Sequence, residues 1–156
     1  MPTIKTLSWG VKQSFRAYVE GAGGKTHTSE GAQTDADSGF VFTAAPDSTL
    51  ALDEAGRLTG RGTFTGVVHF EAHGGMLKVW MVDPILEITD AGAVLTVADH
   101  PTRTYRLEAA RLDLAAMATE TDELALPAAL LMFGSQWLGG NYPAGTALDP
   151  VRLGVG

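Results

Sequence analysis

The 156-residue chain is expected to form a mostly β fold, an antiparallel sandwich or barrel-like sheet with one or two short α-helices. Three observations predict it. From residue 39 onward apolar and polar residues alternate in short runs, the period of a half-buried strand. Turn-forming groups interrupt these runs at short intervals, among them "DEAG", "HGG", "DP", "DAG" and "DHP". Clear helical spacing is confined to the opening of the chain. Many short strands at such intervals fit a sandwich or a barrel.

The elements follow in order. In "LSWGVKQSFRAYVEG", Val11, Phe15, Tyr18 and Val19 recur at helical spacing, with Lys12, Gln13, Arg16 and Glu20 opposite. This predicts a helix over roughly residues 9–20, with Ser8 as N-cap and Gly21 as its stop. Residues 21–39, "GAGGKTHTSEGAQTDADSG", are almost free of apolar side chains and read as a loop holding at most a frail edge strand. Strands are then expected in "GFVFTAA", "STLALDEAGRLTGRGTFTGVVHFEAHGG", "MLKVWMVDPILEITDAGAVLTVADH" and "TRTYRLEAARLDL". "AHGGM" and "TDAG" read as hairpin turns. "LPAALLMFGSQWLGG" reads as a second short helix or an apolar hairpin, and the tail as a turn followed by a strand.

Length and composition bound the function. A chain of 156 residues, 45% hydrophobic and 19% charged, suits a single globular domain over residues 1–156. The formal charge of −7 and the scattered Lys and Arg argue against nucleic acid or an anionic membrane as partner. With no cysteine there are no disulfides, thiolate metal sites or Cys nucleophile. No stretch reaches the ~20 apolar residues of a spanning helix, and "MPTIKTLSWG" has no apolar leader, so the chain as written is expected in the cytoplasm.

The stretch "VHFEAHGG" invites a zinc reading, but H-E-x-x-H places the glutamate directly after the first histidine, and here the order is His69, Phe70, Glu71, Ala72, His73. Residues 63–73 also alternate, so the two histidines are expected on one strand face about 13 Å apart. Two imidazoles on one zinc need Zn–N bonds of about 2.0–2.1 Å. What remains is His73 at the mouth of a hairpin beside Gly74 and Gly75. It is either an ordinary surface histidine in a turn or one placed to approach a flat ligand. Tyr18, at helical spacing with Phe15 and Val11, reads from spacing alone as a core tyrosine with its hydroxyl at the rim.

Three blocks, "LSWGVKQSFRAYVEG", "FTGVVHFEAHGGMLKVWMVDPILEI" and "GGNYPAGTALDPVRL", together resemble the HtaA domain family, the haem-binding regions of haem transport-associated proteins. The resemblance covers nearly the whole chain in order. It implies a β-rich sandwich with short helices and a pocket for ferric haem b. It implies Tyr18 as the axial ligand to the iron, within W-G-x-K-x-S-F-R-x-Y, and His73, within F-x-x-H-x-G, as hydrogen-bond partner of the ligating phenol. His69 ranks second for that role. Phe15 is expected in the core or against the porphyrin, and Ser14 and Arg16 as propionate partners or solvated surface. Of Trp80 and Met81, one is expected to face the core and the other a pocket wall, and Tyr142 is a pocket-lining or turn residue. The chemistry suits the pair: a phenolate is a hard oxygen donor for ferric iron, the cation favours its deprotonation, and an adjacent imidazole stabilises the anion.

The expected function is therefore haem capture, storage or transfer, with haem and another haem-transfer protein as partners and a homodimer through the apolar 124–140 segment as a further expectation. Family members are usually exported or held at the cell surface, unlike the location read from this chain. The competing reading is a β-sandwich module that binds another apolar small molecule. An enzyme is not expected beyond weak peroxidase-like activity, because no nucleophile elbow, phosphate loop or dinucleotide fingerprint is present.

Overall fold

The computed structural model describes residues 2–35, 39–90 and 92–156. In chain order they form β1 (Ile4–Trp9), α1 (Gln13–Gly21), β2 (Lys25–Ser29), β3 (Gln33–Asp35), β4 (Gly39–Ala44), β5 (Ala51–Leu52), β6 (Leu58–Thr59), β7 (Arg61–Thr65), β8 (Val67–Ala72) and β9 (Leu77–Val82). Then come β10 (Ile85–Thr89), β11 (Gly92–Ala98), β12 (Arg106–Leu112), β13 (Ala118–Thr119), β14 (Glu123–Leu130), α2 (Met132–Trp137) and β15 (Ala147–Val155). The protein is mostly β, and of the two expected forms it takes the barrel. The ring runs β1-β15-β14-β12-β11-β10-β7-β4 and closes because β4 also pairs with β1. Closure leaves none of these eight strands with a free edge. Alternate side chains point inward, so Leu7, Phe42, Leu86, Leu95, Leu126 and Leu153 are fully buried.

A second, three-stranded sheet in the order β2-β8-β9 grows out of the barrel. Strand β7 continues into β8 through Gly66, and β9 returns to β10 through Asp83 and Pro84. Gly66 has φ +144°, and a Cβ there would lie 2.8 Å from Ala32 Cβ and 2.9 Å from Phe42 Cδ2, so a glycine is required on both counts. The two bends are joined: the Gly66 N–H donates to Asp83 Oδ1 at 3.0 Å, and the Asp83 N–H donates to the Gly66 carbonyl at 2.9 Å.

Helix α1 covers the inner face of this small sheet. Phe15 packs edge-on against Phe70 of β8, with ring centroids 5.2 Å apart, and Phe40 approaches Phe70 from the barrel at 5.5 Å. The turn after α1 presses on β8 so closely that a Cβ on Gly24 would lie 2.3 Å from the Glu71 carbonyl oxygen.

Three expectations need correction. The helix starts at Gln13, and Ser8 belongs to β1; its N-cap is Lys12, with no capping side-chain hydrogen bond. The reason is tertiary: Leu7 and Trp9 are fully buried, and β1 is the strand that closes the barrel between β15 and β4. The loop after Gly21 holds two short strands, β2 and β3, rather than one; residues 36–38 of that stretch lie outside the described residues. In "LPAALLMFGSQWLGG", the first part is the end of β14, where Leu126, Ala128 and Leu130 alternate into the core, and only Met132–Trp137 is helical.

Candidate functional site

The side chains of Tyr18 and His73, 55 residues apart in sequence, meet with Tyr18 Oη 2.5 Å from His73 Nε2. Tyr18 lies at the edge of the buried face of α1, three residues after Phe15 and next to Val19, and is 43% exposed. His73 follows β8 directly, in the turn His73–Gly75 that joins β8 to β9. Its φ of +54° is a left-handed backbone that costs a non-glycine residue roughly 1–2 kcal/mol. That backbone turns the imidazole out of the strand and toward α1. The ring lies 5.5 Å from that of Tyr18 with the planes at 58°. The hydrogen bond serves both protonation states: a neutral phenol donates to Nε2, and a phenolate accepts from an Nε2–H.

The pair lines an open cleft of about 270 Å³ whose other walls are Met76, Leu77 and Asn141. Leu77 begins β9, and Asn141 is held in the loop after α2. Two contacts fix that loop: Trp137 Nε1 donates to the Trp80 carbonyl at 2.9 Å, and Ser135 Oγ donates to the Tyr142 carbonyl. A larger cleft, about 580 Å³, lies between Thr89, Arg111, Leu114 and Pro127 at the far side of the barrel, and no tyrosine or histidine lines it.

The remaining singled-out residues fall elsewhere. Phe15 is in the core, and Tyr142 is half-buried with its ring 6.3 Å from that of Phe15. Ser14 is exposed one helical turn before Tyr18. Arg16 is engaged by Asp149 at 2.6 Å and by the Gly10 carbonyl at 2.7 Å, which pins α1 to β15. Met81 takes the core and Trp80 the outer face of the small sheet. There, directly paired in register, His69 stacks on Trp80 at 3.7 Å, and His100 stacks on Trp80 at 3.5 Å. His69 Nε2 is buried with no hydrogen-bond partner among the described residues, and burial holds its pKa below the ordinary 6.5. Among the described residues no group of three or more His, Cys, Asp or Glu is arranged to hold a metal ion, so the zinc reading of "VHFEAHGG" has no support in the structure.

Sequence reading missed Met76, Leu77 and Asn141. All three lie within the motif blocks, but Leu77 reaches the cleft through the β8–β9 hairpin and Asn141 through the loop after α2. The exposure of Met76 has no signature in sequence.

The HtaA (Htaa) family model matches residues 5–154. The chain belongs to the HtaA family. Among solved structures, the N-terminal domain of HtaA from Corynebacterium glutamicum is 27% identical, with a TM-score of 0.75 over 100% of this chain and 99% of that one. The C-terminal domain of the same protein is also 27% identical, with a TM-score of 0.71 over 99% and 98%. The heme binding protein HtaB of that organism shares the fold at 21% identity, with a TM-score of 0.69 over 99% and 93%. A comparison with curated protein sequences gave no match.

Proposed function

We propose that the chain is a haem-binding protein, not an enzyme, that captures and passes on ferric haem through the Tyr18 cleft. Tyr18 would hold the iron as its phenolate, and His73 would steady that oxygen. The observation that carries the reading is the Tyr18 Oη to His73 Nε2 contact of 2.5 Å at an open cleft. A tyrosine hydroxyl at a surface ordinarily needs only water. Here an imidazole is held on it from a backbone conformation that costs energy, and such strain marks functional positions. Family membership supports the reading, and the relative HtaB is itself described as a heme binding protein.

The residues fit the group. Tyr18 supplies a hard oxygen donor, and Met76 and Leu77 supply apolar walls. At about 270 Å³ the cleft is smaller than the usual ligand site of about 300–1,000 Å³, so a large flat ligand would stay partly exposed, which suits uptake and hand-over more than permanent retention. Haem bound there would supply a ferric centre that favours the phenolate form of its ligand. His73 keeps the hydroxyl proton within reach of Nε2, and α1 keeps Tyr18 aimed at the cleft.

Hemin titration followed by absorbance tests the proposal. The Soret band is expected to saturate at one haem per chain, with a phenolate-to-iron charge-transfer band that Tyr18→Phe removes. A wild type that leaves only the spectrum of free hemin would sink the reading and leave a β-barrel module for another apolar molecule.

A further inference from the structure

Met76 stands 91% exposed at the tip of the β8–β9 hairpin, on the lip of the Tyr18 cleft. By contrast, Met81 is sealed in the core, and Met132, though 65% exposed, lies on α2 outside the cleft lining. Met76 is held in place by its backbone. Its N–H donates to the His73 carbonyl at 3.2 Å, and it returns to a right-handed conformation (φ −71°, ψ −30°) after the left-handed run His73, Gly74, Gly75. The same turn therefore sets an imidazole against Tyr18 and a thioether beside it, with Leu77 next along the wall. An almost fully exposed methionine forgoes nearly all the stabilisation that burial of its side chain would bring. A flat apolar ligand seated on Tyr18 recovers part of it by covering the thioether. Methionine suits such a contact, being unbranched and polarizable.

We propose that Met76 is an oxidisable ligand contact: its reduced thioether packs on the porphyrin, and its sulfoxide weakens that packing. The inference rests on the haem reading above. The oxidant is hydrogen peroxide. One peroxide oxygen forms the S–O bond of the sulfoxide, the O–O bond breaks, the sulfur loses two electrons, and the other oxygen leaves as water. The product is polar and chiral and is reversible by sulfoxide reduction. Burying it against a porphyrin is unfavourable, so oxidation at this position lowers haem retention while the fold is untouched.

Two measurements on the full chain test this. In the first, apoprotein is treated with hydrogen peroxide with and without gallium protoporphyrin IX, a porphyrin whose metal does not cycle, and peptide mass spectrometry reads each methionine. The porphyrin is expected to protect Met76 and leave Met132 unprotected. In the second, peroxide-treated and untreated apoproteins are titrated with hemin after the peroxide is removed. Wild type and Met132→Leu are expected to bind about tenfold more weakly after treatment, the loss of part of one buried side chain. Met76→Leu is expected to give one affinity with and without treatment, and Met76→Gln to bind weakly from the start. The proposal is overturned if the porphyrin leaves Met76 unprotected, or if oxidised wild type binds hemin as tightly as untreated protein while Tyr18→Phe still abolishes binding. In that case the haem reading stands alone. If untreated wild type does not bind hemin, both fall.

Discussion

His69 and His73 sit four residues apart in one segment of chain, and the structure gives them opposite surroundings. His73 ends the hairpin arm at a left-handed residue, exposed, with its Nε2 on the Tyr18 hydroxyl. His69 lies in the middle of the sheet, flattened against Trp80, with its Nε2 buried and without a hydrogen-bond partner among the described residues. Backbone geometry makes the difference. In a strand the ring can only lie on the sheet face beside its cross-strand neighbours His27 and Trp80. At the turn the chain is free of that face and can aim a side chain at α1. The turn end thus offers chemistry, and the sheet face offers packing.

The largest effect is expected where both depend on one side chain. Phe70 lies between them on the opposite face, fully buried against Phe15 and Phe40. Phe70→Ala should cost about 3–5 kcal/mol in urea unfolding and loosen α1 together with the sheet. A loss below 1 kcal/mol would mean that the small sheet is not anchored through this contact.

At the turn end, His73→Ala should weaken hemin binding by roughly ten- to a hundredfold, because a hydrogen bond to a charged group is worth about 1.5–3 kcal/mol. The same titration on His69→Ala should show a change below threefold. Equal effects from the two variants would erase the distinction drawn here.

On the sheet face the effect is one of pH. Burial lowers the pKa of His69 in the folded protein, so the unfolded chain takes the proton first as acid is added. The stability linked to His69 is therefore complete above about pH 6.5 and is lost as pH falls through the lower folded value. Charges around it act in both directions: Glu71 opposes the shift, while His27, Lys78 and His100 add to it. His69→Phe, which keeps a ring on Trp80 and removes the orphaned nitrogen, should narrow the gap between melting temperatures at pH 7.5 and pH 5. An unchanged gap would assign the acid sensitivity to other groups.

The smallest effect concerns strain. His73→Gly should be more stable than His73→Ala by about 1 kcal/mol in denaturant, since glycine adopts the left-handed φ without penalty. If alanine is as stable as glycine, the turn relaxes when the imidazole is removed.

Much of this was legible in the sequence. Alternation from residue 39 and the "AHGG" turn predicted the strands and the hairpin that carries His73, and helical spacing placed Tyr18 on α1. The choice of barrel over sandwich was not legible, because closure rests on β1 pairing with β4 and β15, contacts spanning most of the chain. The same alternation left open which of Trp80 and Met81 faced inward. Parity separates two faces but does not say which one the barrel covers. Arg16 read as a propionate partner or a solvated cation, and the Asp149 that engages it lies 133 residues away. Met76 and Asn141 join the cleft only because the hairpin turn and the loop after α2 converge in three dimensions.

The proposed ligand to the iron is the Tyr18 phenolate. Resonance Raman scattering from the hemin complex, excited in its charge-transfer band and repeated with ring-deuterated tyrosine, tests it most directly. Phenolate modes are expected that shift with the label and vanish in Tyr18→Phe while persisting in Tyr142→Phe and Tyr105→Phe. Phenolate modes that survive Tyr18→Phe, or a wild-type spectrum with histidine ligation and none of these modes, would contradict it.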